Sequence, residues 1–193
     1  MRIDRLRKNY EIEIKWTAFP LHPDTPEEGR TLEELFKVGS EEIRKKMLHL
    51  RQVADELELP LGQRTKTYNS RLAQELAKWA EAKGRGDEFH EAVFRAYFVD
   101  GKNIATMEEL VTLAEFVGLP AEEARTVLQT RSYRQPVDAD WFRARLLGVT
   151  AVPTFVIDRR AVVGAQPLGV LAQLLIDSNV KKRDHVEPGH PRQ

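Results

Sequence analysis

The dipeptide Val152-Pro153 constrains the fold of this chain more than any other feature, because of what lies on either side of it. Gly148 ends a helical stretch a few residues earlier, and the β-branched and aromatic run 154–157 follows directly. Proline has no backbone N–H group, so it can precede a strand but cannot lie inside a paired one. The sequence therefore predicts a helix end, a short loop, Val152-Pro153 and then a strand.

Composition excludes several classes of protein. The 193 residues include 30 Lys and Arg and 30 Asp and Glu, so the formal net charge is zero and the basic excess typical of nucleic-acid binders is missing. No apolar run approaches the roughly 20 residues of a membrane span. Residues 1–8 are basic but have no apolar region behind them, unlike a signal peptide. We therefore expect a cytoplasmic protein that binds neither nucleic acid nor membrane.

The chain contains no cysteine. Disulfides, thiolate metal sites and catalysis by a thiol are therefore excluded for this polypeptide alone. The five histidines show no metal-ligand spacing on one helix face, so we predict no metal site and no cofactor. His49 and His90 lie among charged residues and are expected to be solvated, while His22 is a candidate for lining a groove. Thr154 is interpreted as a strand residue and not as a nucleophile.

Residues 1–30 are predicted to form the first part of a domain that is completed near the other end of the chain. A short helical phrase comes first. In Ile12–Trp16 polar and apolar side chains alternate, which predicts a half-buried strand. Residues 19–29 contain three prolines and are predicted to be a stiff extended loop.

Residues 31–135 are predicted to form an inserted helical subdomain. Apolar side chains recur every three or four residues in this stretch, and each stripe ends near a glycine or a proline. Thr106 and Glu109 form a T-x-x-E capping-box pattern ahead of one helix. Asn69 or Ser70 caps another helix, and capping is our first interpretation of Asn69.

The segment 136–180 is predicted to complete the domain. Its expected elements are a helix, two strands and a final helix, at about 138–148, 154–157, 161–163 and 168–176. The first of these strands is an unbroken apolar run, which predicts burial on both of its faces. Residues 181–193 are polar and contain two prolines, so they are predicted to be a flexible tail.

This order of elements resembles the DsbA-like branch of the thioredoxin fold, and in particular the FrnE-like group. The resemblance covers nearly the whole chain and depends on three features. They are a strand-exit loop at 19–29, an Asn-containing helix start at 69–73, and a cis-proline loop at 147–157 with its closing hairpin at 164–166. It implies an α/β fold of the thioredoxin-like type, incomplete at its N-terminus, with an inserted all-helical subdomain.

Val152 and Pro153 are the substrate-binding residues that the resemblance implies, since a cis peptide there exposes the Val152 backbone to an extended substrate. In related glutathione-using proteins an asparagine placed like Asn69 lies near the active cleft, so a role in the site stays open. Those proteins have an acidic residue in the region of Gln166, and the neutral amide weakens the case for holding the amine of glutathione. No catalytic residue is assigned in this chain.

The beginning of the chain departs from the family's pattern. Residues 2–6 resemble the later part of the family's first helix, so the family's central first strand and its Cys-x-x-Cys motif have no counterpart. Without that strand Ile12–Trp16 has no neighbour, and each unpaired buried backbone group costs on the order of 1–3 kcal/mol. We prefer the interpretation that Met1 is a misassigned or internal start, which the codons upstream of it would test. The alternative is a lineage that lost the redox motif and completes its sheet with another chain, giving a homodimer.

The function implied by the resemblance is that of a DsbA/FrnE-like thiol–disulfide oxidoreductase family member, redox-inactive as this cysteine-free chain. Its partners would be protein or peptide thiols, or a small thiol. Two alternatives stay open. One is a glutathione-linked isomerase of the 2-hydroxychromene-2-carboxylate isomerase or kappa-transferase type, and the other is a non-catalytic peptide-binding module.

Overall fold

The computed structural model describes residues 2–183. The chain divides into two compact units. The discontinuous unit is formed by the residues up to Leu21 together with those from Arg143 onward, and the helical unit is formed by His22–Phe142. These units describe compactness alone, and the folding domains expected from the sequence, with boundaries at 30, 135 and 180, stay a prediction.

Helices dominate the described residues, and strands occur only in two antiparallel pairs, β1 with β2 and β3 with β4. In chain order the elements are α1 (Arg2–Asn9), β1 (Arg30–Thr31), α2 (Leu32–Phe36), α3 (Ser40–Glu56), β2 (Lys66–Thr67), α4 (Arg71–Ala82), α5 (Gly86–Phe98), α6 (Met107–Phe116), α7 (Ala121–Thr130), α8 (Arg134–Leu146), β3 (Thr154–Ile157), β4 (Arg160–Val163) and α9 (Leu168–Asp177). The short pair of β1 and β2 has no counterpart in the sequence prediction.

Glycines set the ends of several helices in the helical unit. Gly84, Gly101 and Gly118 lie just beyond α4, α5 and α6 and have φ values of 73°, 68° and 79°. Glycine has no Cβ and therefore adopts this left-handed conformation without a steric penalty, which turns the chain out of the helix. The predicted helix ends near these glycines are confirmed.

The core of the helical unit lies among α4, α5, α6 and α7. Its completely buried apolar side chains come from all four helices and are Leu76, Ala80, Phe89, Leu110, Ala114 and Ala124. Burial of one large apolar side chain contributes about 1.5–3 kcal/mol, so this cluster is the main source of stability in the unit.

A buried ion cluster joins α4 to the end of α7 and to α8. Glu75 is 1% exposed and accepts hydrogen bonds from Arg71 Nε at 2.6 Å and from Arg131 Nε and Nη2, both at 2.7 Å. Arg71 also donates to Asp138 Oδ1 at 2.7 Å and lies over the ring of Trp141. Burial alone would raise the pKa of Glu75. The hydrogen bonds and positive charges of Arg131 and Arg71 outweigh that effect and hold the pKa below its ordinary value.

The discontinuous unit has a second, smaller core. Leu6 of α1, Tyr10 just after it, and Leu171 and Leu175 of α9 are buried together. Phe155 and other side chains of the β3–β4 pair pack against this cluster, so one face of the hairpin is covered. The two strands and the final helix predicted from the sequence are confirmed.

Residues 181–183, which the sequence placed in the flexible tail, pair instead with the end of α1. Lys182 forms an antiparallel bridge with Tyr10. The Arg183 N–H donates to Asn9 O at 2.9 Å, and its guanidinium Nε donates to Tyr10 O at 2.9 Å. The remainder of that segment, 184–193, lies outside the described residues.

The strand predicted at Ile12–Trp16 is wrong, since residues 11–20 form no strand. The alternation behind the prediction is real, because exposed side chains at Glu11, Glu13 and Lys15 alternate with partly buried ones. A strand also needs a hydrogen-bonded neighbour, and within residues 2–183 β3 pairs only with β4. The pattern therefore predicted which side chains are partly buried, but not whether a neighbouring strand forms hydrogen bonds with this segment.

Three smaller predictions are also corrected. β3 is not buried on both faces, because Val156 points away from the core that covers the other face and is exposed. The capping box at Thr106 does not form, because the Thr106 hydroxyl donates to Asn103 O instead. α8 begins at Arg134 rather than near residue 138, since the chain leaves α7 through a left-handed Arg131 and turns at once into the next helix.

Candidate functional site

The loop in front of β3 is held from both ends. The N–H groups of residues 148–149 donate back to the last turn of α8, which closes the helix. The peptide bond between Val152 and Pro153 is cis. The Thr154 hydroxyl donates to Ala151 O at 2.7 Å, bridging the two sides of that bond. Thr154 thus has a local structural contact, in line with its interpretation as a strand residue.

The β3–β4 hairpin fixes the other end of this loop. Thr154 is paired with Val163 in the antiparallel register. The Gly164 N–H donates to Pro153 O at 2.7 Å, so the carbonyl of the proline is already used. Gly164 has a φ of 90°, which a residue with a side chain adopts only with strain. The resemblance included Gly164 in the closing hairpin at 164–166 but gave it no role in the site, although its place just after an apolar strand is a common signal for a turn.

Val152 is an exposed residue with unused backbone groups. As a whole residue it is 45% exposed. Within the described part of the chain neither its N–H nor its carbonyl has a hydrogen-bond partner. β3 has a partner strand on one edge only in that same part. A free strand edge next to an exposed N–H and carbonyl is a template for an extended peptide.

Ionisable chemistry is not concentrated at this loop. The groups of residues 2–183 whose pKa values depart clearly from the ordinary ones belong to the helical unit: Glu34, Glu75, Lys78, Glu81, Glu88 and Arg131. No group of three or more metal-ligating side chains occurs among the residues that the structure describes. The chain supplies no thiol. What the loop offers is therefore main-chain hydrogen bonding and apolar surface.

Gln166 is tied to its own hairpin. Its Nε2 donates to Val163 O at 2.9 Å, and its N–H donates to Gly164 O at 2.8 Å. The side chain is thus engaged in closing the turn after β4. An amide held in this way supplies no negative charge to an incoming amine.

Asn69 fastens the proline-rich loop to the start of α4 within the helical unit. Its Oδ1 accepts from the Arg71 N–H at 2.9 Å, which satisfies one of the free N–H groups at the helix start. Its Nδ2 donates to Pro23 O at 3.0 Å and to Thr25 O at 2.8 Å. The structure therefore shows a positioning role for Asn69 in this unit.

The histidines are scattered. His22 and His49 are exposed. His90, expected to be solvated, is instead partly buried, with Nε2 3.4 Å from Glu81 Oε1, because α5 packs this face against α4. His185 and His190 lie outside the described residues.

A shallow depression of about 450 Å³ lies beside β4 and α9 and is lined by Val162, Val170 and Leu174 among others. It includes neither Val152 nor Pro153. Within residues 2–183 no helix has the length and apolar character needed to cross a membrane.

Comparisons with known proteins show likenesses in sequence and in fold. A family model described as a DSBA-like thioredoxin domain matches residues 1–176. The uncharacterized protein YwbO of Bacillus subtilis (strain 168) is 27% identical over 184 residues, which covers 91% of this chain and 86% of that protein.

Two solved structures place the fold. The probable DsbA oxidoreductase SCO1869 from Streptomyces coelicolor superposes with a TM-score of 0.85 at 27% identity, covering 98% of this chain and 85% of that one. A 2-hydroxychromene-2-carboxylate isomerase superposes with a TM-score of 0.70 at 19% identity, covering 92% and 85%. The thioredoxin-like fold predicted from the sequence is confirmed, and the isomerase likeness shows the fold alone.

Proposed function

Because the chain belongs to the family of DSBA-like thioredoxin domains, we propose that it binds extended, thiol-bearing polypeptide at Val152 and Pro153 and carries out no disulfide exchange of its own. Family membership supports an interaction with thiol substrates. The composition supports the second half of the proposal, because thiol–disulfide exchange requires an attacking thiolate and this chain has no cysteine.

The observation that carries the proposal is the free main chain at Val152. An extended peptide laid beside this residue would accept from its N–H and donate to its carbonyl, as a strand does when it joins a sheet. The apolar side chain of Val152, a residue that is 45% exposed as a whole, would be covered in the same step. Each main-chain hydrogen bond contributes about 0.5–1.5 kcal/mol net, so a few of them with modest apolar burial give weak, reversible binding.

A direct test uses reduced and alkylated insulin B chain, an extended polypeptide whose thiols are blocked. On titration, the backbone amide signals of Val152 and Thr154 should shift. Val152→Asp should weaken binding at least tenfold, because it places a charge at the apolar contact. Val170→Asp is the matched control, since Val170 is 41% exposed on α9 and lines the depression beside β4, which includes neither Val152 nor Pro153. Equal effects of the two substitutions would refute binding at this loop.

Catalysis is tested separately with the chain alone. Insulin reduction and oxidation of a dithiol peptide should both show no turnover above the uncatalysed rate. Clear turnover would contradict the second half of the proposal. Binding of glutathione in a calorimetric titration would favour the glutathione-linked isomerase instead, although the engagement of Gln166 with its own hairpin gives that alternative no support.

Two further points extend this proposal. We keep the cytoplasm as the expected location. We also keep the expectation of a homodimer, but residues 12–16 form no strand and therefore do not provide the edge on which that expectation was based.

A further inference from the structure

α3 carries an apolar strip that residues 2–183 leave partly exposed. Of its 17 residues only Ile43 and Ala54 are buried. Leu50, Val53 and Leu57 are 36–43% exposed. Spacings of three and four residues place these three on one face of the helix, next to the buried side. An amphipathic helix that buries so little of its apolar face has surface left for a partner.

Neighbouring apolar side chains widen this strip. Phe36 of α2 lies beneath the ammonium group of Lys46, 5.5 Å from ring centre to Nζ. Leu59 is tied to the end of α3 by a hydrogen bond from its N–H to Ala54 O.

The exposed area is comparable with the largest apolar patches found on monomers. The residues concerned are each 36–48% exposed and are Phe36, Leu50, Val53, Leu57 and Leu59. At about 200 Å² of surface for a side chain of this size, they expose on the order of 400 Å². That value lies within the range for the largest apolar patch on a monomer, about 300–600 Å². It is also about half of the roughly 800 Å² that each partner contributes to a standard interface.

We propose that this strip binds the same strip of a second copy of the chain, with the two α3 helices antiparallel. The strip is nearly symmetric about its middle, because Lys46, Leu50, Val53 and Leu57 are separated by four, three and four residues. A two-fold axis between residues 51 and 52 would place Leu50 of one copy opposite Val53 of the other. The aliphatic stem of Lys46 would likewise lie opposite Leu57.

The charges beside the strip select the antiparallel arrangement. Lys45 and Glu56 lie on the same flank of α3, because eleven residues at 100° each bring the helix back to within about 20°. Within residues 2–183 Glu56 has no ion-pair partner, and Lys45 is paired only with Glu41 of its own helix, at 4.0 Å. Antiparallel helices bring Lys45 of one copy close to Glu56 of the other, whereas parallel helices in register leave the two about 16 Å apart along the axis.

The first test is the oligomeric state of the full chain, measured by sedimentation equilibrium from 1 to 100 µM. We expect a dimer at 100 µM. Leu50→Glu combined with Leu57→Glu should give a monomer throughout this range. Leu48→Glu is the control: Leu48 is 56% exposed, yet nine residues at 100° each place it on the side of α3 opposite Leu57. Circular dichroism verifies that all three proteins keep their helices.

A second test addresses orientation. Glu56→Lys should weaken the dimer about tenfold, because it places a positive charge of one copy against Lys45 of the other in the antiparallel pair. Mixing that protein with a Lys45→Glu protein should restore association as a heterodimer. A wild-type monomer at 100 µM would overturn the proposal. So would a dimer that survives the Leu50 and Leu57 substitutions, which would indicate the free edge of β3 instead, or a dimer that the Glu56 substitution leaves unchanged.

Discussion

The buried carboxylate of Glu75 gives a sharp prediction about stability. Glu75→Gln keeps the shape of the side chain but removes its charge and leaves the guanidinium groups of Arg71 and Arg131 facing a neutral amide. Breaking a buried ion pair by changing one partner costs about 3–5 kcal/mol. Arg131 is 42% exposed, so water replaces part of what it loses, and we expect the low end, about 3 kcal/mol. For a chain of this length that lowers Tm by roughly 6–12 °C.

Glu41→Gln is the matched control for this experiment. Glu41 also receives two hydrogen bonds from one arginine, Arg44, at 2.8 and 3.2 Å, but its side chain is 62% exposed. Exposed pairs contribute about 0–1 kcal/mol, so the control should lower Tm by no more than a few degrees. Scanning calorimetry and urea unfolding measure both variants. Equal losses of stability in the two would refute the argument that burial gives the Glu75 cluster its strength.

The pH dependence of the same variant follows from the direction of the Glu75 shift. The pKa of Glu75 in the folded protein lies below its ordinary value of 4.5, because the hydrogen bonds and charges of the two arginines outweigh the effect of burial. The stabilisation is therefore complete above that ordinary value and is lost as the pH falls through the lowered pKa. The stability gap between wild type and Glu75→Gln should be constant from pH 6 to 8 and should shrink below pH 4.

The remaining predictions concern backbone packing and the proline-rich loop. Gly62→Ala would place a Cβ 1.8 Å from Val99 O, so urea unfolding should show a loss of roughly 1–3 kcal/mol. In Gly169→Ala of α9 the added Cβ meets nothing within 4 Å, so the protein should gain about 0.5–1 kcal/mol of stability. A loss of stability in Gly169→Ala, or unchanged stability in Gly62→Ala, would contradict the packing described. Asn69→Ala removes both donors to the loop carbonyls, so hydrogen exchange at residues 25–31 should accelerate while the amides of the α4 core stay protected, and unchanged exchange would refute the positioning role.

Local patterns predicted most of the helices because the forces that define helix ends are themselves local. Apolar stripes and terminal glycines placed α3, α5 and α9 close to their observed bounds. The same reasoning failed for the capping box, where two T-x-x-E sequences directly precede a helix, at Thr31 and at Thr106. Thr31 forms the box with Glu34. At Thr106 the preceding turn, in which the Asn103 side chain accepts from the Ala105 N–H, places the Asn103 carbonyl where it accepts from the Thr106 hydroxyl instead. The four residues of the motif do not determine which hydrogen-bond partner the preceding turn places beside the threonine hydroxyl.

Non-local pairing marks the limit of this reasoning. The alternation in Ile12–Trp16 determined which side chains turn inward, but a strand exists only where another strand donates and accepts hydrogen bonds. Glu75 is the opposite case, since its burial depends on Arg131, 56 residues further along the chain. A signal was present, because Glu75 shares a face of α4 with Leu72 and Trp79 at helical spacing. An acidic residue inside an apolar stripe predicts a buried partner of opposite charge without identifying it.

The two halves of the site were unequally predictable for a chemical reason. The chemistry of the family depends on a thiol side chain, and the absence of cysteine is visible in the sequence at once. The recognition proposed at Val152 would depend on the main chain, which every residue carries, so the sequence identifies it only through the proline that follows. A surface made of N–H and carbonyl groups does not require a reactive side chain beside it. Under this proposal peptide binding and redox chemistry are therefore separable, and the Val152 and Val170 comparison measures the first while the turnover assays measure the second.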